Sequence, residues 1–155
     1  MDVTLLSTLN LDKLVAFEKN ARASEAEIFL DGFDEVQFRN ETLNALENPN
    51  FTSARCLMCI DENGNSIGRL DFSIVSSFAF GGDLRAYVDW VYVLKEHRHR
   101  GIAQFLFKEM ETYLTAQGIK EYFLIAAENN EAQSFYRSLE NASIEKQDIL
   151  TKNFN

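Results

Sequence analysis

The stretch Val91-Tyr-Val-Leu-Lys-Glu-His-Arg-His-Arg-Gly-Ile-Ala103 decides the reading of this chain. It passes from an apolar strand through a short basic loop with one glycine into the start of an amphipathic helix. After Gly101, the apolar residues Ile102, Phe105, Leu106, Met110, Tyr113 and Leu114 recur at helical spacing. A strand that turns directly into a helix leaves the amides of the first helical turn without partners. Those donors and the positive end of the helix dipole favour an anion, most often a phosphate. Gly101 lets the backbone approach such a ligand, and Arg98 and Arg100 add charge beside it. The segment reads as a pyrophosphate-binding loop.

Elimination narrows the ligand. No Gly-Lys-Ser or Gly-Lys-Thr occurs in the chain, so there is no P-loop. Gly101 is the only glycine between Gly82 and Gly118, so there is no three-glycine dinucleotide fingerprint. The segment does match Arg-x-x-Gly-x-Gly/Ala, as Arg98-His-Arg-Gly101-Ile-Ala103, and so resembles the acyl-CoA pyrophosphate loop of the GNAT superfamily of N-acetyltransferases. Further on, Tyr122-Phe-Leu-Ile-Ala-Ala127 is an apolar run suited to a sheet interior. Strand, helix and strand then predict a right-handed crossover with parallel strands. Next, Asn129-Asn-Glu-Ala132-Gln-Ser-Phe135-Tyr136 opens another helix, and is similar to the Asn-x-x-Ala-x-x-Leu/Phe-Tyr segment that GNAT proteins often carry there. The resemblance is good over residues 56–139 and weak before them.

The resemblance implies an α+β fold with a mixed, mostly antiparallel sheet of six to seven strands. About four helices flank it, and a parallel, splayed strand pair forms the CoA site. It implies an acetyl-CoA-dependent N-acetyltransferase with no metal, and homodimerisation. The loop is also similar to those of aminoglycoside 6′-acetyltransferases and polyamine acetyltransferases, which makes a small polycationic amine a plausible acceptor. A protein N-terminus or lysine is the alternative acceptor.

Length and composition fit this reading. A chain of 155 residues suits one domain over 1–155, and 46% hydrophobic content is enough to bury a core. No run of about 18 apolar residues is present, so no membrane span is expected. The start Met1-Asp-Val-Thr lacks the basic opening of a signal peptide, which favours the cytoplasm. Cys56 and Cys59 should point to opposite faces of a strand as free buried thiols: the absence of other cysteines argues against a zinc site, and a disulfide at that spacing would distort the strand. The net charge of −9 argues against nucleic-acid binding. Against that charge, residues 95–100 form a cationic island where an anionic ligand should dock. The acidic remainder either attracts a cationic amine or serves solubility.

The other elements follow from pattern. Val3-Thr-Leu-Leu-Ser reads as a first strand, residues 11–23 as a helix that Asp12 helps start, and residues 34–46 as a helix stopped by Asn48-Pro49. Residues 26–33 read equally as loop or short helix. Residues 54–60 and 66–75 flank Asp61-Glu-Asn-Gly64-Asn, a hairpin signal. A second turn at Gly81-Gly82-Asp83 leads into a strand over 84–94, and a last strand is expected around 143–152.

Acyl transfer to an amine needs a bound thioester, a neutral amine, oxyanion stabilisation and a proton for the leaving thiolate. The resemblance assigns pairing with the pantetheine arm to the backbone of Val91, Tyr92 and Val93, with the Val91 amide at the thioester carbonyl. It assigns the pyrophosphate to Arg98, His99, Arg100, Gly101, Ile102 and Ala103. Tyr136 matches the motif tyrosine expected to act as general acid, and a phenol is protonated at neutral pH without help. Asn129 either bonds the pantetheine or caps its helix. Strand alternation puts Asp89 on the same face as Val91, where it is a base, an ammonium holder, or a partner of Arg69 or Arg85. His97 and His99 should face solvent or ligand oxygens and not act as bases. The rival readings are a catalytically idle acyl-CoA-binding sensor and a non-CoA nucleotide-binding protein.

The chain departs from the family pattern at several points. Lys95 replaces a proline often found there, His97 occupies a frequently aromatic site, and Ala103 replaces the second glycine. Glu140-Asn141 stands where Gly-Phe is usual, and one C-terminal strand is expected where the family often has two.

Overall fold

The Asn-Gly turn organises the sheet as its composition predicts. Asp61 Oδ1 accepts from the amides of Asn63 and Asn65 at 2.9 and 2.8 Å, and Gly64 takes φ 83°, which a side chain would resist. A computed structural model describes residues 1–29, 32–51, 53–78, 82–146 and 148–153. The turn joins β2 (Ala54–Ile60) to β3 (Ser66–Ser76), and β4 (Leu84–Val93) pairs with the far side of β3. Of the second predicted turn, Gly81 lies outside the described residues, while Gly82 takes φ 91° ahead of β4. β1 (Asp2–Leu5) pairs antiparallel with β2, and β5 (Tyr122–Leu124) pairs parallel with β4. The sheet order is β1-β2-β3-β4-β5.

The chain divides into two compact units, residues 1–124 and 125–155. In the first, α3 (Ile102–Ala116) lays the predicted apolar stripe on one sheet face, burying Ile102, Leu106, Phe107, Met110 and Leu114. Removing each such side chain from water contributes about 1.5–3 kcal/mol. Gly68 of β3 permits the approach: a Cβ there would lie 2.7 Å from Ile102 Cγ2 and 3.2 Å from Leu106 Cδ1. Gly68 therefore sets where the first turn of α3 sits. On the other face, α1 (Leu11–Ser24) buries Leu11, Leu14 and Val15 against Met58, and Phe17 and Ala21 against Tyr92 and Leu94. α2 (Glu35–Glu47) starts at Asp34, whose side chain accepts from the Gln37 amide at 2.9 Å. It buries no residue fully, because a cavity lies beneath it. Cys56 packs with the α1 cluster, whereas Cys59 sits beside Gly68 on the α3 face; both thiols are free. The second unit contains α4 (Asn130–Ser138).

Among the described residues, the mixed, mostly antiparallel sheet and four α-helices agree with expectation, and three details are corrected. The described residues form five strands in place of the six or seven expected. The described residues of 143–152 form no strand: Ile144, Ile149 and Leu150 are exposed, and the charges between them break the alternation a half-buried strand needs. β5 also ends at Leu124, short of the predicted Ala127. The helices start and stop within two residues of their expected positions. Of the undecided stretch, Leu30 and Asp31 lie outside the described residues and the remainder is not helical.

Candidate functional site: a loop nest and an apolar cavity

Parallel pairing between β4 and β5 ends at the rung Val88↔Leu124, while β4 runs on to Val93. The amide of Leu94 donates to Ile67 at 3.1 Å, so the hydrogen-bonded positions facing β3 are Leu94 and then Tyr92. The amides and carbonyls of Val91 and Val93 are therefore turned to the opposite edge, past the last parallel rung. Tyr92, grouped with them from sequence, has its main chain committed to β3 and its side chain buried on the α1 face. The Val93 carbonyl is also occupied, accepting from Arg98 Nε at 3.1 Å. What remains on that edge is the Val91 amide and carbonyl and the Val93 amide.

The loop after β4 makes a 3-10 turn over Lys95–His97, then two residues in the left-handed region, His99 at φ 59° and Gly101 at φ 76°, on either side of Arg100. Alternating backbone handedness turns successive amides to one side, as in anion-binding nests. Gly101 is the N-cap of α3 and has no side chain to close the first turn. The contrast with α2 and α4 is direct, since Asp34 and Asn129 cap those helices. The amides of Ile102 and Ala103 thus open onto the nest, and Arg100 is exposed beside them. A Cβ at Gly101 would meet nothing within 4 Å, so φ and not space requires glycine there. This donor set, together with the β4 edge, fits a diphosphate followed by an extended amide-bearing arm.

Arg98 is placed differently from the sequence reading. Its guanidinium holds the buried carboxylate of Glu25 and the Val93 carbonyl, and lies 5.3 Å from the centre of the Tyr92 ring. Sequence reasoning missed Glu25, since a lone glutamate after a helix carries no motif.

Asp89 is the residue that sequence alternation misplaces. β3 and β4 shift register at this point: Phe72 pairs with Val88 and Asp71 with Trp90, leaving Asp89 as the extra residue of a bulge. Val91 pairs with Leu70 on the α3 face, whereas Asp89 joins Asp71 and Tyr87 in lining a cavity on the α1–α2 face. The expectation that Asp89 and Val91 share a face is thus overturned, because a bulge resets the two-residue period. The proposed Arg69 partner is also taken, by Asp71 (Nε to Oδ1, 3.0 Å) and by Glu18, while Arg85 pairs with Glu121 at 3.4 Å. Among the described residues, the exposed Asp89 carboxylate has no ion-pair partner.

The cavity measures about 920 Å³ and is walled mainly by apolar side chains, including Leu14, Phe38, Leu46 and Phe51. Its charged groups are Glu41, Asp71 and Asp89, with Arg69 and Arg55 on the sheet side. Arg69 neutralises Asp71, and Arg55 Nε donates to the Tyr113 hydroxyl at 2.9 Å. The volume is at the upper end for small-ligand pockets, about 300–1,000 Å³. Cys56 also lines it, and burial pushes that thiol well above its ordinary range, so it is inert there. No group of three or more His, Cys, Asp or Glu side chains that could hold a metal occurs among the described residues.

In the second unit, Asn129 is the N-cap of α4, its Oδ1 accepting from the Ala132 amide at 2.9 Å. Tyr136 packs edge-on against Phe135 at 5.5 Å, and burial raises its phenol above the ordinary value of 10.0.

A family model described as the acetyltransferase (GNAT) family matches residues 18–140. No curated protein matches the chain. Among solved structures, the aminoglycoside 6′-N-acetyltransferase AAC(6′)-Ig from Acinetobacter haemolyticus superposes with a TM-score of 0.70 at 20% identity, covering 100% of both chains. An aminoglycoside acetyltransferase from an uncultured soil metagenomic sample, in complex with sisomicin, gives 0.79 at 17% identity over 99% of this chain and 96% of that one. The ribosomal-protein-alanine N-acetyltransferase of Brucella melitensis biovar Abortus 2308 gives 0.73 at 16%, over 98% and 100%. At such identities, these likenesses establish the fold. No helix among the described residues is long and apolar enough to cross a membrane.

Proposed function

The chain belongs to the acetyltransferase (GNAT) family, and from that premise we propose that it transfers the acetyl group of acetyl-CoA to a primary amine by direct attack in a ternary complex. The observation that carries this reading is the nest at residues 99–101 running into the uncapped first turn of α3. The backbone amides of residues 99–103, with Arg100 beside them, hold the pyrophosphate. The Val91 and Val93 groups turned away from β3 pair with the pantetheine arm, and the Val91 amide stabilises the tetrahedral oxyanion. Tyr136 donates the proton to the leaving thiolate. That assignment rests on its motif position and on burial that keeps the phenol protonated. Asn129 orders the turn into α4.

The acceptor enters the cavity on the α1–α2 face. Its apolar wall and the unpaired Asp89 suit a compact amine with an apolar body, and the solved relatives that act on aminoglycosides and on a ribosomal protein bracket the size range. Asp89 holds the ammonium and takes its proton, directly or through water. We place the protein in the cytoplasm as one domain spanning 1–155, able to form a homodimer.

The test is release of free thiol from acetyl-CoA in the presence of panels of polyamines, aminoglycosides, amino acids and peptides. Turnover with a small amine supports the proposal. Binding of acetyl-CoA without turnover on any panel would favour an idle acyl-CoA-binding module.

A further inference from the structure

Glu25 follows the last turn of α1 and is 4% exposed, although it carries a charge. A buried carboxylate is costly unless both oxygens are satisfied. Arg98 Nη1 donates to Oε1 at 3.1 Å, Arg98 Nη2 donates to Oε2, and the Tyr92 hydroxyl donates to Oε2 as well. Burial and the bond to Glu25 push the Tyr92 phenol up to about 12, so it remains a donor. The same guanidinium reaches back to the Val93 carbonyl. One side chain therefore ties the loop at its start, at its midpoint and to α1. The next residue, His99, begins the nest.

From this geometry we infer that Glu25 is a positioning residue for the cofactor loop. It draws the Arg98 guanidinium inward, away from the ligand, and fixes the direction in which the chain enters residues 99–101. The pyrophosphate then meets main-chain amides that are already aligned, and binding does not have to order them. Arg98 acts through the loop's shape and not through its own charge on the phosphates. The inference rests on the reading of the loop as an acetyl-CoA site and adds a residue that no part of the loop motif contains.

The test is a double-mutant cycle on acetyl-CoA binding by calorimetry, with steady-state kinetics on the same proteins. Glu25→Gln should raise the acetyl-CoA Kd and KM about tenfold while leaving kcat at saturating acetyl-CoA, and the acceptor KM, within about twofold. Arg98→Gln should do the same, and the double variant should be no worse than either single one, because the two residues act as one device. Glu25→Asp should recover part of the affinity. An unchanged Kd in Glu25→Gln, with only a lower melting temperature, would overturn the inference, as would fully multiplicative losses. Should Glu25→Gln not fold, Tyr92→Phe removes a single donor and should raise Kd in the same direction by a smaller factor; no rise there overturns it equally. A wild-type protein that binds no acetyl-CoA refutes the proposed function, whereas tight wild-type binding shared by the variants refutes this inference alone.

Discussion

Arg98 and Glu25 meet through two parallel hydrogen bonds that join the loop after β4 to the end of α1. Burial alone would raise the Glu25 carboxyl, but the bonds from Arg98 and Tyr92 outweigh it and hold the group below its ordinary value of 4.5. A depressed carboxylate contributes stability that is present above the unfolded value and is lost as pH falls through the folded one. Thermal melts should therefore lose stability more steeply below about pH 4.5 in the wild type than in Glu25→Gln. Parallel slopes would show that the pair contributes nothing to acid stability.

Gly68→Ala places a methyl group 2.7 Å from Ile102 Cγ2. Overpacking of this kind costs about 1–3 kcal/mol, and here the displaced atoms belong to the first turn of α3. The melting temperature should fall by several degrees and the acetyl-CoA KM should rise together with it. A drop in stability with an unchanged KM would uncouple the packing from the loop.

Tyr136→Phe removes the proposed proton donor while keeping the ring. Loss of a general acid lowers rate by about 10²–10⁴, so kcat should fall about a hundredfold or more with the acetyl-CoA KM unchanged. Because burial raises the phenol above its ordinary value, any loss of wild-type kcat from this group should come at higher pH than for a free tyrosine. A Tyr136→Phe enzyme with wild-type kcat removes the tyrosine from the mechanism.

Asp89→Asn should reduce kcat/KM for a cationic acceptor about fivefold, which corresponds to about 1 kcal/mol, and leave the acetyl-CoA KM alone. The modest size follows from the exposure of Asp89, since solvated ion pairs are worth about 1 kcal/mol or less. No change with any cationic acceptor would place the amine elsewhere.

How much the sequence discloses differs from element to element. The α3 stripe, the hairpin at Asn63-Gly64 and the parallel β5 were legible because they depend on local spacing and turn chemistry. The nest was legible in part: Gly101 signals one left-handed residue, while His99 gives no such signal. The bulge at Asp89 was not, because an inserted residue leaves Tyr87-Val-Asp-Trp-Val looking like ordinary alternation and appears only in the pairing with β3. Glu25 and the cavity were hidden for the same reason, since both arise where segments distant in the chain converge. Among the described residues of 143–152 the expected strand does not form, because Ile144, Ile149 and Leu150 are exposed and make no buried face.

Paired thermal-shift titrations with acetyl-CoA and with S-acetylpantetheine, which lacks the pyrophosphate, test the central claim most directly. At about a hundredfold excess over Kd, a ligand that binds only the folded state stabilises it by about 2.7 kcal/mol. Acetyl-CoA should produce a clear rise in melting temperature, Gly101→Ala should abolish most of it, and S-acetylpantetheine at the same concentration should produce little. Equal stabilisation by both compounds, or none by millimolar acetyl-CoA, would contradict the assignment of residues 99–103 as the pyrophosphate site.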